Sequence, residues 1–333
     1  MLRPPLTFVV GTGRCGSTAL SEILRLHPSV LSLSELFTTL EPGALPEEEV
    51  SGDRFWELLA SPRPFADRMI RRGTPLPEHL YPRGPGRFTG DTGVPAVCLT
   101  TLPHLTPDPD ALFDHLRPLL ADRPTGPVAG HYRALFAALA ERCGREVAVE
   151  RSGFSLALVP KLRAHFPEAR FVHLHREGPD CAVSMSRHPG FQLVLLMADL
   201  AEREGADAAA ELGRMLGDDT FDLDAALARH VPVERYGELW STMITTGLTH
   251  LAQLPADIRM SLAFEDLLEA PEHHLKRLAD HIGVAPHPEW TEAAARRLDA
   301  GRRGAADRLP AAEQRALRAR CAPGTRALAT ALP

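Results

Sequence analysis

The octapeptide Gly11-Thr12-Gly13-Arg14-Cys15-Gly16-Ser17-Thr18 does most to limit what this chain can become. It follows the apolar run Leu6 to Val10 and leads into a helical pattern at Ala19, Leu20, Ile23 and Leu24. Strand, glycine-rich turn and helix start together make a phosphate cradle. The glycines let the backbone approach an anion closely, and the free N–H groups of the first helical turn point at it. The helix end adds roughly +0.5 of an elementary charge. Against the nucleotide-binding pattern G-x-x-x-x-G-K-[ST], Gly11, Gly16 and Thr18 fit, but Ser17 stands where lysine belongs. That lysine reaches the outer phosphates, so its absence argues against ordinary ATP or GTP hydrolysis. Arg14 offers a planar fork for a terminal anion instead. A turn that binds nothing would leave Arg14 and the Ser17 and Thr18 hydroxyls without a role.

The chain has 333 residues, 44% of them hydrophobic, enough to bury a substantial α/β core. The formal net charge of −6 speaks against a nucleic-acid surface, so any basic site is a local pocket. Cys15, Cys98, Cys143, Cys181 and Cys321 are odd in number and lack paired metal spacing, which reads as free thiols in a reducing compartment. Cys15, near a helix start, is open to a lowered thiol pKa, with a small filler residue as the plainer reading. There is no signal-peptide pattern, and no run approaches the ~20 apolar residues of a membrane helix. The expected protein is soluble and cytoplasmic.

Along the chain, Pro28 stops the first helix near His27. Val30 to Leu33 reads as the second strand, with Glu35 at or just past its carboxyl end, the side of an open α/β sheet where ligands bind. Glu41 to Arg72 reads as helix in two pieces. Gly73 to Pro127 is rich in turn residues and yields one clear helix, about Pro109 to Leu120. We read about 41–127 as an insertion that covers the acceptor site. A helix over His131 to Arg142 precedes a strand over Glu146 to Glu150, which runs into Arg151-Ser152-Gly153. The helix Leu156 to His165 leads to the strand Arg170 to His175, and Asp180 to Arg187 is helix-like. Gln192 to about Leu254 is mainly helical. Asp257 to Phe264 is the last strand, Glu272 to Ile282 a helix, and about 290–333 a C-terminal helical segment. The expectation is one α/β domain, with a central parallel sheet, flanking helices, and helical and proline-rich insertions. His173 and His175 share a strand face, but with no acidic or cysteine partner at ligand spacing they read as core or crevice histidines, not a metal pair.

The loop resembles the 5′-phosphosulfate-binding loop of sulfotransferases, which use 3′-phosphoadenosine 5′-phosphosulfate (PAPS) as donor. The resemblance is closest to the bacterial and tyrosylprotein-type branch, and it continues through Leu26-His27-Pro28 and Ser32-Leu33-Ser34-Glu35. It returns in the block from Phe166 to Arg176, in Phe264-Glu265-Asp266-Leu267-Leu268, and in Gly301-Arg302-Arg303-Gly304. It implies that Gly13, Arg14, Cys15, Gly16, Ser17 and Thr18 hold the 5′-phosphosulfate. It also implies that Arg176 and Ser184 bind the donor's 3′-phosphate. Arg302, Arg303 and Gly304 are either the segment that closes over that phosphate or a solvated basic loop.

Sulfuryl transfer, like phosphoryl transfer, asks for positioning and positive charge more than covalent help. Arg151 stands where the family usually has a lysine at the transferring group, a departure from the pattern; the plainer reading is a surface ion pair. Gly153 occupies the place of the histidine base of cytosolic members. Glu35 occupies the place of the glutamate base of tyrosylprotein-type and some bacterial ones. Glu35 is therefore the expected general base, with a cap on the helix beginning near Phe37 as the alternative. The expected activity moves a sulfuryl group from PAPS to a hydroxyl of a small-molecule, glycan or glycolipid acceptor, releasing adenosine 3′,5′-bisphosphate. No metal, nucleic acid or membrane span is expected. A kinase of this loop type using ATP, or a non-catalytic module that binds adenosine bisphosphate, are the alternatives.

Overall fold

The computed structural model describes residues 5–331 apart from 83, 85, 300 and 302. Its strands are β1 (Leu6–Val10), β2 (Val30–Ser34), β3 (Val147–Arg151), β4 (Arg170–His175) and β5 (Arg259–Ala263). They form one sheet in the order β2-β3-β1-β4-β5, and every neighbouring pair is parallel. The register pairs Val9 and Ser34 with Arg151, and Val10 with His173, so the carboxyl ends of β1, β2, β3 and β4 meet on one rim.

Parallel strands covered on both faces read as nearly continuous apolar runs, and β1, β2 and β3 are buried throughout. Side chains alternate between the faces. Phe8, Leu31, Leu33, Ala148 and Phe171 share one core with α8 (Val128–Cys143) and α9 (Val159–His165). Val9, Val149, Val172 and Leu174 share another with α1 (Ser17–Arg25) and α16 (Pro271–Ile282). Phe8 anchors the first core, with ring centroids 5.4 Å from Phe166 and 5.6 Å from Phe171. Fully burying such a ring is worth about 1.5–3 kcal/mol.

Between β2 and β3 run α2 (Leu36–Leu40), α3 (Gly52–Ala60), α4 (Pro64–Arg71), α5 (Ala96–Leu99), α6 (Thr101–Leu105) and α7 (Pro109–Ala121). Two of these differ from the sequence reading of this region: α5 and α6 are too short to show a hydrophobic period. The stretch 41–51 carries no helix, so the two helical pieces expected over 41–72 lie within 52–71. After β4 come α10 (Gly178–Ser186), α11 (Pro189–Glu204), α12 (Ala206–Met215), α13 (Leu223–Ala228) and α14 (Val233–Ala252). After β5 come α15 (Phe264–Glu269), α16, α17 (Pro288–Ala295) and α18 (Ala311–Ala331). The last helix packs along α14, where the Ser241 hydroxyl accepts from Gly324 N at 3.1 Å and donates to Arg320 O at 2.8 Å.

The helix before Pro28 ends at Arg25, two residues short of His27. His27 instead links two segments: Nδ1 accepts from Ser29 N at 3.1 Å, so Nε2 carries the proton and donates to Ala285 O at 2.9 Å. Among the described residues no helix is long and apolar enough to cross a membrane.

Candidate active site

The loop leaves β1 at Gly11 and turns into α1 at Gly16, whose φ of 91° is the left-handed geometry glycine tolerates best. A Cβ at Gly16 would stand 2.2 Å from the ring of Phe264. Phe264 therefore fits only beneath a bare backbone, and this is the structural work of the Phe-Glu-Asp-Leu-Leu block. The same ring lies 5.7 Å from the Arg176 guanidinium, which ties the end of β4 to the loop. Glu265, next in the block, accepts from Glu177 N at 3.1 Å.

Three non-glycine residues have positive φ among the described residues: Arg14, Glu35 and Phe154, at 57°, 55° and 57°. Each such conformation costs about 1–2 kcal/mol, and strain of this kind gathers at functional sites. Arg14 reaches out of the loop to two partners. Its Nε donates to Ser184 Oγ at 3.2 Å and its Nη1 to Glu78 Oε1 at 3.2 Å. Ser184, which the resemblance assigned with Arg176 to one phosphate, thus sits on Arg14. Arg176 is buried and donates to Asp180 Oδ2 at 3.2 Å. Asp180 also accepts from Gly304 N at 2.8 Å and from Ala306 N at 2.9 Å. Gly304 and Arg176 are therefore brought together through one carboxylate. Arg303 is exposed, and Arg302 lies outside the described residues.

Ser17 is buried and Thr18 exposed at the start of α1. Cys15 points inward: a Cβ on Gly11 would lie 2.8 Å from its Sγ, and burial pushes its thiol pKa up. The side chain packs in the core, and the backbone amides of Gly13, Cys15 and Ser17 draw its pKa partly back down. Gly13 O accepts from Cys181 Sγ at 3.4 Å, so α10 braces the loop from beneath.

Glu35 follows β2. Its Oε2 accepts from Gly153 N at 2.8 Å, and its Oε1 pairs with Arg151 Nη1. Arg151 Nη2 donates to Ser34 Oγ at 2.7 Å. Both ends of this pair are buried, which removes the surface-pair reading of Arg151. The helix-cap reading of Glu35 also fails: it occupies the N-cap position of α2, but its side chain makes no hydrogen bond to the helix. A Cβ on Gly153 would lie 3.5 Å from Glu35 Oε2 and 3.9 Å from Gly13 Cα. A Cβ there would meet both at ordinary contact distance, so Gly153 sits between the carboxylate and the glycine-rich loop. Beside it Phe154 stacks on Phe191, centroids 4.4 Å apart, and Phe191 packs at Gly13.

Several site residues escaped the sequence reading. Glu78 belongs to a turn-rich stretch without periodicity. Its Oε2 accepts from His188 Nε2 at 3.0 Å, and His188 Nδ1 accepts from Gly190 N at 3.2 Å. Burial raises the Glu78 carboxyl, but the hydrogen bond and charge of His188, with Arg14 beside it, bring it down to about 2. Asp180 stands four residues after Arg176, and this spacing was the one signal in the sequence that would have found it. Glu150 is wholly buried. Burial pushes its carboxyl up to about 8, with the Ser152 hydrogen bond pulling down and the Glu35 charge pushing up. His173 and His175 lie 5.1 Å apart and are held neutral by burial, at about 3 and about 4. Among the described residues no group of His, Cys, Asp or Glu is gathered to hold a metal ion.

The arrangement offers two arginine forks, a glycine-rich turn into a helix start, and a buried carboxylate beside the loop. Both forks now hold carboxylates, Glu78 and Asp180, which is the chemistry of a site for anions.

Among solved structures, the chain is similar to the sulfotransferase domain from the curacin biosynthetic pathway, with 16% identity and a TM-score of 0.51 over 96% of this chain and 98% of that one. It is also similar to the sulfotransferase domain of the Synechococcus PCC 7002 olefin synthase, at 18% identity, TM-score 0.47, and 97% and 95% coverage. A sulfotransferase from Mycobacterium avium matches at 15% identity and TM-score 0.47, covering 98% of this chain and 76% of that one. No family model matches the chain, and no curated protein matches it. The first likeness, at this identity, identifies the fold as that of a sulfotransferase domain; what the fold does here rests on the site.

Proposed function

We propose that this chain is a PAPS-dependent sulfotransferase that transfers a sulfuryl group to a hydroxyl of a small-molecule, glycan or glycolipid acceptor in the cytoplasm. The observation that carries the reading is the approach of the buried Glu35 carboxylate to the phosphate loop across Gly153. A base within reach of an anion cradle is the minimum equipment for moving a charged group onto a hydroxyl.

In this reading the loop amides, Arg14, Ser17 and Thr18 hold the 5′-phosphosulfate, and Arg176, Ser184 and Gly304 hold the 3′-phosphate. The residues at Arg302 and Arg303 would add charge over it. Arg151 keeps one oxygen of Glu35 fixed, and a carboxylate has about four lone-pair sites in all, so room remains for an acceptor hydroxyl. Glu35 takes the hydroxyl proton as the acceptor oxygen bonds to sulfur. The bond from sulfur to the bridging oxygen breaks, and adenosine 3′,5′-bisphosphate leaves. Arg14 neutralises charge gathering on the bridging oxygen, where a preorganised cation is most effective.

The pairing of Glu35 with Arg151 also supports a second reading, a silent module that binds adenosine bisphosphate. Thermal unfolding tests the donor first. Adenosine 3′,5′-bisphosphate at ~100 times its dissociation constant should stabilise the chain by about 2.7 kcal/mol, while ADP or ATP with magnesium shifts it far less. Equal shifts from ADP would return the kinase reading to the lead. Transfer of labelled sulfate from PAPS across a panel of hydroxylated acceptors then separates enzyme from silent module.

A further inference from the structure

Helix α2 begins immediately after Glu35, and its first amides need acceptors, as at any helix start. A residue in the N-cap position ordinarily supplies one from its own side chain, with extended backbone. Glu35 does neither: its backbone is left-handed, at φ 55° and ψ 26°, and its carboxylate turns away to Gly153 N and Arg151. The amides of α2 are taken instead by β3 and the residue after it. Leu36 N donates to Glu150 Oε1 at 3.2 Å. Phe37 N and Thr38 N donate to Ser152 Oγ at 3.1 and 3.2 Å. The Ser152 hydroxyl donates in turn to Glu150 Oε1 at 2.6 Å, so one hydroxyl uses its proton and both lone pairs. The Thr38 hydroxyl donates to Gly153 O, closing the same knot on the other side.

We infer that Ser152 and Glu150 are positioning residues for Glu35: by capping α2 from the neighbouring strand, they release its carboxylate to the phosphate loop. The inference rests on the sulfotransferase reading for what Glu35 then does, though the hand-over of the cap is a matter of geometry alone. A carboxylate next to unsatisfied helix amides is drawn to them by hydrogen bonding and by the helix dipole. With Ser152 and Glu150 meeting that demand, Glu35 is left to Arg151 and Gly153. Serine suits the position because a small hydroxyl can take two amides at once inside a buried site.

The Gly153 amide reports on Glu35, because it donates to Oε2. In the isotopically labelled full chain, the Gly153 amide resonance should follow a carboxylate titration, and Glu35→Gln should abolish it. Ser152→Ala should displace the midpoint by about half a pH unit or more, since a shifted hydrogen bond to a carboxylate moves its titration on that scale. Hydrogen exchange at Gly153 should quicken by about tenfold as the local bond loosens. Ser152→Thr, which keeps the hydroxyl, should restore both. Should Ser152→Ala fail to fold, Glu150→Met tests the same link, since its side chain has no oxygen to accept from Ser152 and Leu36; the displacement should be in the same direction. An unchanged Gly153 titration in Ser152→Ala, or in Glu150→Met, overturns the inference.

Adenosine 3′,5′-bisphosphate binding is measured alongside and should change less than about threefold in these variants, because both side chains are buried and engaged with α2. Failure of the wild type to bind the bisphosphate would sink the sulfotransferase reading while leaving the Gly153 result to judge the hand-over. With an acceptor in hand, Ser152→Ala should lower kcat by about 10²-fold with KM little changed, the effect of misplacing a base by about 1 Å.

Discussion

Arg14 of the glycine-rich loop and Glu78 of the segment between β2 and β3 lie 3.2 Å apart, guanidinium to carboxylate, across a separation of 64 residues. Glu78 thereby holds its segment against the loop, and His188 holds Glu78. Any anion that Arg14 is to grip must share the guanidinium with this carboxylate.

Glu78→Gln should therefore strengthen binding of adenosine 3′,5′-bisphosphate and of PAPS. The pair is partly exposed, so the gain should be about three- to tenfold. Isothermal titration measures it. Weaker binding would mean that Glu78 helps to orient Arg14 for the anion rather than competing with it.

Glu35→Gln should leave bisphosphate affinity nearly unchanged and lower turnover by about 10²–10⁴-fold, the ordinary worth of a general base. Stability tells a separate story. Glu35→Ala leaves Arg151 buried beside Ser34 without its counter-ion, which should cost about 3–5 kcal/mol in denaturant unfolding. A loss near ~1 kcal/mol is what a helix cap alone would give. Near-normal turnover in Glu35→Gln would remove it as the base.

Arg176→Ala should weaken adenosine 3′,5′-bisphosphate by about 2–5 kcal/mol while leaving adenosine 5′-phosphosulfate, which lacks the 3′-phosphate, little affected. Asp180 keeps its bonds from Gly304 and Ala306 in that variant, so the chain segment at Gly304 should stay docked. Equal losses for both ligands would mean that Arg176 supports the fold through Phe264 instead.

The buried Glu150 makes stability depend on pH. Its folded pKa is raised to about 8, so above the ordinary carboxylate range the folded state holds a proton that the unfolded chain has released. Its contribution is complete below the unfolded pKa and falls away as pH rises towards 8. The melting temperature should decline over that window, and Glu150→Gln should flatten the decline. A slope identical in the variant would show that other groups set it.

Much of the fold could be read in advance because its signals are local. Strand β1, the glycines of the loop and the start of α1 follow from a buried apolar run, from backbone that only glycine tolerates cheaply, and from a hydrophobic period. The same holds for β3 with its terminal Arg151 and for β4 ending before Arg176. The insertion was harder, since α5 and α6 are each shorter than two turns and leave no period to detect.

Partnership between charges was a matter for packing. Spacing along the chain put Arg14, Glu35, Arg151, Arg176 and Ser184 near the same rim, but it could not say which would bond to which. Arg14 meets Ser184 rather than leaving it to Arg176; Arg176 meets Asp180, and Asp180 draws in Gly304. Glu35 escapes the helix it precedes because Ser152 and Glu150, more than a hundred residues away, take its amides. Helices and strands arise from bonds between near neighbours, which the order of residues specifies directly. A buried ion pair forms only where two distant segments are packed within about 4 Å, so its membership emerges when the core has closed around it.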